Sequence, residues 1–326
     1  MALLLTESDV RDLLPTSELI DTMDGALAAF SSGQVNQPVR TAVQVGPARH
    51  FFGVMPAYLP SPAALGVKLV TSFDGNSAFS LPTHLATILL LNPDTGALEV
   101  VMDGRYITAL RTAAVSAVAV RRLAREDAGT LAILGSGVQA RSHVQLLPLA
   151  RHFCDVRAWS PTPDHLHRFV SDAASLSRGS VHAATGPEQA VRGADVIALV
   201  TSSATPVLQN GWVSAGALVI SVGACRPHMR EMDPALVIRS RLIVDSRAAA
   251  LVEAGDIVQG IREGLWTDAH IAAELGELIL RRAPGRRTAG EVVVFKSLGL
   301  AVEDIAAAQL VCARAREQGR GRQISL

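Results

Sequence analysis

The loop Gly135-Ser136-Gly137-Val138-Gln139-Ala140 limits the fold more than any other feature, because it joins the apolar run 131–134 to a helical segment over 139–150. In a strand–turn–helix unit this G-x-G-x-x-A pattern has a physical reading. Gly135 permits the tight turn, Gly137 lets the backbone approach a pyrophosphate, and the small Ala140 lets helix and strand pack closely. The helix N-terminus then offers Ser136, Val138 and Gln139 as neighbours of bound phosphates. Glycines also mark plain turns, so the context decides. Short apolar runs at 156–159, 196–200, 218–222 and 242–244 follow, alternating with helical stretches such as 164–176. Strands that are apolar throughout imply a parallel sheet covered on both faces, hence a doubly wound α/β domain that binds a dinucleotide.

The first third of the chain is built differently. Thr6 and Asp9 have the spacing of a capping box, and Leu19, Ile20, Met23, Leu27 and Phe30 repeat at helical intervals as far as Gly33, which predicts core positions. Strand-like runs cover 40–45, 51–55, 65–73, 84–91 and, after the turn Asn92-Pro93-Asp94-Thr95-Gly96, 97–102; these predict a mostly antiparallel sheet. Residues 107–122 read as a helix buried on much of its surface. A last helix over 303–316, marked by Ile305, Leu310 and Val311, is able to return to the first domain.

Thirty basic and thirty acidic residues cancel, so no whole-chain field is available to hold nucleic acid. Cys154, Cys225 and Cys312 are widely spaced, with no C-x-x-C pair and no histidine spacing that would hold zinc. No metal is expected, and a reducing cytoplasm is. No apolar stretch approaches the roughly 18 residues of a membrane span.

An acidic residue about 20 positions after the glycine loop grips the ribose hydroxyls in NAD-binding domains. Here that place reads Ser160-Pro161-Thr162, with Asp155 before the strand and Asp164 beyond Pro163. The missing carboxylate favours NADP(H) over NAD(H), with Ser160 and Thr162 as donors to the 2′-phosphate. No arginine directly follows the strand, and a simple turn is the other reading.

Two cations stand in apolar surroundings. Lys68 interrupts Leu65, Val67, Leu69 and Val70, and Arg111 lies in the apolar helix. A charge buried unpaired is costly, so each either grips an anion, forms an internal salt bridge or snorkels to solvent.

The segments Gly53-Val54-Met55-Pro56-Ala57-Tyr58, Gly66-Val67-Lys68-Leu69-Val70-Thr71, Val101-Met102-Asp103-Gly104, Arg111-Thr112-Ala113-Ala114, Gly223-Ala224-Cys225-Arg226-Pro227, Phe295-Lys296-Ser297-Leu298-Gly299 and Val302-Glu303-Asp304 occur in order along nearly the whole chain. Together they resemble the ornithine cyclodeaminase and mu-crystallin family. The resemblance implies a Rossmann-type domain over 113–301 and a discontinuous α+β domain, 1–112 with 302–326, for substrate binding and dimerisation; the expected assembly is a homodimer. It also implies that Arg40, Lys68 and Arg111 meet the substrate carboxylate, with Met55 and His84 bordering the pocket. Thr112 would contact the cofactor phosphates. Val294 and Ser297 would lie near the nicotinamide, and Thr201 and Val222 complete the cofactor set. For His84 a structural role, and for Val294 plain core packing, are the other readings. Asp103 reads as a turn residue.

The family runs several reactions, so the site must choose among them. Cyclodeaminases and alanine dehydrogenases of the family carry an aspartate where Cys225 stands. A carboxylate there stabilises an iminium, which a thiol of ordinary pKa near 8.5 does poorly. Three cations around the carboxylate pocket would also raise the local potential and disfavour an unshielded iminium. The expected reaction is therefore reduction of a preformed cyclic imine carboxylate, Δ1-pyrroline-2-carboxylate or Δ1-piperideine-2-carboxylate, to proline or pipecolate. Arg111 is expected to anchor the substrate; Lys68 is the candidate proton donor if its ammonium lies near the imine nitrogen, and a substrate that arrives protonated needs no donor. Ornithine cyclodeamination, alanine dehydrogenation and a non-catalytic crystallin-like binding role are the alternatives.

Overall fold

A computed structural model describes residues 1–46, 50–177 and 179–325. The chain forms two compact units, Met1–Arg111 with Gly299–Leu326, and Thr112–Leu298. In chain order the strands are β1 (Ala2–Leu5), β2 (Thr41–Val45), β3 (His50–Pro60), β4 (Ala63–Ser72), β5 (His84–Leu91), β6 (Leu98–Asp103), β7 (Thr130–Leu134), β8 (Asp155–Trp159), β9 (Ser180–Ala183), β10 (Val196–Leu199), β11 (Leu218–Ser221), β12 (Arg241–Val244), β13 (Ile271–Glu274), β14 (Val293–Lys296) and β15 (Arg322–Ile324). The helices that matter below are α1 (Glu7–Leu13), α2 (Thr16–Ser31), α3 (Arg105–Leu123), α4 (Val138–Leu146), α5 (Pro163–Ala174) and the C-terminal helix Ala301–Glu317.

In the first unit, seven strands pair in the order β15-β1-β6-β5-β4-β3-β2. Every pairing is antiparallel except that of β1 with β6. Alternate residues of β3 and β4 are buried, as expected of a sheet packed on one side. The C-terminal helix packs on β3, β4, β5 and α2, so the last helix does belong with the first strands. Thr6 and Asp9 form the capping box of α1. Leu19, Ile20, Met23 and Leu27 of α2 are buried, whereas Phe30, near the helix end, is only partly so; Leu310 likewise sits at the margin. Asp103 accepts the N–H of Arg105 at 2.9 Å and thereby caps α3.

Eight strands of the second unit are all parallel, in the order β13-β12-β14-β11-β10-β7-β8-β9. From β7 the chain steps outward to β8 and β9, then returns to place β10 on the other side of β7. The order therefore reverses between β7 and β10, and ligands of such sheets bind at the carboxyl ends beside that reversal. The helix read over 139–150 ends earlier, at Leu146, and continues as the 3-10 turn Leu147–Leu149, where Pro148 removes a donor. Among the described residues, no helix is long and apolar enough to cross a membrane.

Candidate active site

The strand register makes Lys68 the anomaly of the first unit. Met55 of β3 lies opposite Lys68 of β4, Lys68 opposite Ile88 of β5, and Ile88 opposite Met102 of β6. The three apolar members of this row are at most 3% exposed, and Lys68 is 2% exposed. An ammonium so placed requires a partner, since an unpaired ion loses several kcal/mol of solvation, roughly.

The first turn of the C-terminal helix supplies that partner. Asp304 accepts Lys68 Nζ through Oδ2 and Arg111 Nε through Oδ1, the latter at 2.9 Å. Glu303 accepts Arg111 Nη1 at 2.7 Å. Both acids are fully buried. Burial works against ionisation of Asp304, but the Arg111 and Lys68 charges prevail and hold its pKa below the ordinary carboxylate value. Burial pulls Lys68 from 10.5 down to about 8; Asp304 moderates the fall, and the charges of Arg111 and Arg40 deepen it. His84 is pushed from 6.5 to about 4, first by burial and then by Lys68 and Arg111, so its imidazole is neutral at pH 7. Gly299 is part of the same construction. Its φ is +86°, and a Cβ there would stand 2.4 Å from Arg111 Nη1, so glycine is what leaves room for the guanidinium.

Arg40, Lys68, Arg111, His84 and Met55 thus share one region of the first unit. The three cations do not stand alone: Glu303 and Asp304 bring the formal charge of the group Arg40, Lys68, Arg111, Glu303 and Asp304 from +3 to +1 and offer an iminium the shielding that the sequence did not show. Repulsion of an iminium therefore no longer distinguishes one reaction from another.

The second unit carries the glycine loop at the end of β7. Gly135 has φ +127°, and a Cβ on it would meet the Val200 carbonyl at 2.6 Å. At Gly137, by contrast, a Cβ would meet nothing within 4 Å, and this residue caps α4 without any side-chain bond to the helix. The first N–H groups of α4 thus have no side-chain acceptor, and Val138 is 66% exposed. An open, uncapped cradle of this kind fits a dinucleotide pyrophosphate. Ser136 Oγ donates to Ser160 Oγ at 2.9 Å, and Thr162 starts α5 without a capping bond.

Thr201, Val222 and Ser297 follow the ends of β10, β11 and β14. Ser297 Oγ is buried without a hydrogen-bond partner, as expected of a hydroxyl meant for a ligand. Thr112 is buried in α3. Val294 lies inside β14, fully buried among the core side chains of the second unit's sheet.

Beneath these loops is a network absent from the sequence argument. Glu231 accepts the N–H and hydroxyl of Thr201 at 2.8 and 2.7 Å and the N–H of Ala224 at 2.9 Å. It thereby clamps the loop after β10 to the loop after β11. Asp256 accepts the N–H of Glu231 at 2.8 Å, and Lys296 donates to Asp256 at 3.2 Å. The residue before Cys225, Ala224, is thus tied to a carboxylate that Thr201 and Ser221 already engage. An acid seven residues downstream gives no periodic signal, and neither do two acids opening an alanine-rich helix.

The match to known proteins agrees with this construction. The model of the ornithine cyclodeaminase/mu-crystallin family matches residues 1–319. The chain belongs to that family. Within the ornithine cyclodeaminase/mu-crystallin family, it is 45% identical over 311 residues to the ketimine reductase mu-crystallin of Mus musculus, covering 94% of this chain and 95% of the relative. The Δ1-pyrroline-2-carboxylate reductase of Thermococcus litoralis, solved with NADH and L-proline, superposes with TM-score 0.96 at 34% identity, over 99% of this chain and 100% of the other. An archaeal alanine dehydrogenase dimer with bound NAD superposes with TM-score 0.95 at 29% identity, over 100% of this chain and 99% of the other.

Proposed function

We propose that this NAD(P)-dependent oxidoreductase reduces cyclic ketimine carboxylates, Δ1-pyrroline-2-carboxylate and Δ1-piperideine-2-carboxylate, to proline and pipecolate, with NADP(H) preferred to NAD(H). The observation that carries the reading is the buried set of Lys68, Arg111, Glu303 and Asp304. Two carboxylates hold a guanidinium and an ammonium rigid against an apolar sheet face, which prepares them for a small acid. The ketimine and pyrroline-carboxylate reductases among the relatives support the imine as that acid's reactive group.

In this scheme Arg111 and Arg40 hold the substrate carboxylate, and Met55 and His84 border the ring. Lys68 gives a proton to the imine nitrogen. A reduced nicotinamide, when bound, would supply the hydride for the imine carbon; with the proton from Lys68 this balances the conversion of C=N to CH–NH. His84 is too weakly basic to carry a proton at neutral pH, which leaves that task to Lys68. The glycine loop Gly135 to Gln139 holds the cofactor with Thr112, Ser160, Thr162, Thr201, Val222 and Ser297.

The test pairs each imine with NADPH and NADH, and ornithine, alanine and proline with NAD, following the nicotinamide absorbance. Consumption of reduced cofactor with the imines, faster with NADPH, is expected. Turnover confined to ornithine or alanine would replace the reading by amino-acid oxidation, and tight cofactor binding without turnover would make the protein a binder.

The pH dependence has a definite sign. With Lys68 at about 8, kcat/KM for imine reduction is expected to be level near pH 7 and to fall above about pH 8 as the proton is lost. The unfolded chain keeps a lysine protonated to about 10.5, so it binds more protons than the folded one between these values. On Lys68's account stability therefore rises from about pH 8 to 10.5 while activity falls. Parallel rate and urea-unfolding profiles check this opposition.

A homodimer is proposed with the first unit's sheet as the contact. All five residues of the edge strand β2 are exposed, Val43 at 50% and Val45 at 37%, and a bare edge invites a second chain. Three unpaired cysteines favour a reducing cytoplasm.

A further inference from the structure

NADP-binding domains need a cation near the adenosine ribose, and the turn after β8 contains none, reading Ser160-Pro161-Thr162. The fold brings one from elsewhere. Arg141 lies one turn into α4, and side chains of a helix lean toward its N-terminus. Its Nη1 donates to the carbonyl of Ser136 at 2.8 Å, and the Ser136 hydroxyl in turn donates to that of Ser160 at 2.9 Å. The guanidinium is therefore fixed one residue away from the position where such domains read the ribose 2′ substituent. Two further contacts orient it: Nε and Nη2 reach Asp172 of α5 at 3.1 and 2.7 Å, and the Phe169 ring lies 5.9 Å away. The ion pair itself is largely exposed, at 38% and 53%, so its worth to stability is small. An arginine aimed by three groups, at little benefit to the fold, is suited to a ligand; with Nε and Nη2 on Asp172 and Nη1 on Ser136, the remaining N–H of Nη1 and of Nη2 form the planar pair left for a phosphate.

We propose that Arg141 is the residue that determines selection of NADP(H), by pairing with the 2′-phosphate alongside the Ser160 and Thr162 hydroxyls. This inference rests on the NADP(H) preference proposed above. Asp172 acts as the counter-ion that holds the fork in place before the cofactor arrives.

Binding, rather than turnover, separates the two claims. Calorimetric titration with 2′,5′-ADP and with 5′-AMP compares the same nucleotide with and without the extra phosphate. The wild-type protein is expected to favour 2′,5′-ADP. Arg141→Ala should weaken 2′,5′-ADP by about tenfold or more, the worth of a charge-assisted bond, and leave 5′-AMP unchanged. Arg141→Lys, which keeps the charge without the fork, should fall between. If Arg141→Ala weakens both nucleotides alike, Arg141 only braces the loop, and if it weakens neither it has no part; both results overturn the inference while the wild-type preference stands. A wild-type protein that binds the two nucleotides equally removes the NADP(H) reading and this inference together.

Discussion

Arg111→Ala is expected to lower kcat/KM for imine reduction by about 10²- to 10⁴-fold, while a reduced nicotinamide still binds. The size follows from the loss of two charge-assisted bonds to a carboxylate, each worth roughly 1.5–3 kcal/mol, with about 1.4 kcal/mol per tenfold. The same change removes the cation that Glu303 and Asp304 hold at 2.7 and 2.9 Å, so a lower melting temperature accompanies it; breaking a buried pair costs about 3–5 kcal/mol. Arg111→Lys separates the two effects. It keeps a positive charge in the buried site but gives up the planar fork, so catalysis should suffer more than stability. Steady-state kinetics, thermal unfolding and a fluorescence titration of NADPH on the three proteins measure these quantities. Unchanged kinetics in a folded Arg111→Ala protein would end the anchoring role.

Asp304→Asn should act on the proton of Lys68, in addition to loosening Arg111, whose Nε Asp304 accepts at 2.9 Å. The amide is the same size, but it replaces the buried anion that moderates the fall of Lys68 to about 8. Without that charge the ammonium is held by less, and the upper limb of the pH–rate profile is expected to move down by about one to three pH units. At pH 7 the protonated fraction, and with it kcat/KM, then falls by about 2- to 100-fold, and part of the loss returns at pH 6. Partial recovery on acidification distinguishes a displaced proton from a damaged fold. A uniformly lower profile with its limb still near pH 8 would show that Asp304 does not govern that proton.

The cofactor loop was legible because its chemistry is local. Gly135, Gly137 and Ala140 act within six residues, between a strand and a helix that announce themselves by apolar runs. The buried face of α2 was legible for the same reason, since Leu19, Ile20, Met23 and Leu27 repeat at the helix period. Strands β1 and β15 were not, because three or four residues at the chain ends carry no period; their pairing with each other joins the two extremes of the sequence. Edge strand β9 is mostly exposed and mixed in composition, so no apolar run marks it.

The sequence by itself determined which charges would have to be explained: a lysine in an apolar strand and an arginine in an apolar helix cannot be left alone in a low-dielectric interior. It also determined where a dinucleotide would be cradled, since that depends on backbone freedom at consecutive positions. Only the tertiary structure decided the partners. Asp304 is 236 residues from Lys68, Glu303 is 192 from Arg111, and Glu231 reaches back 30 residues to Thr201. Electrostatic pairing acts over a few ångströms of space whatever the separation along the chain, so the aspartate that tunes Lys68 and the acids that hold Arg111 became visible only once the fold had brought them there.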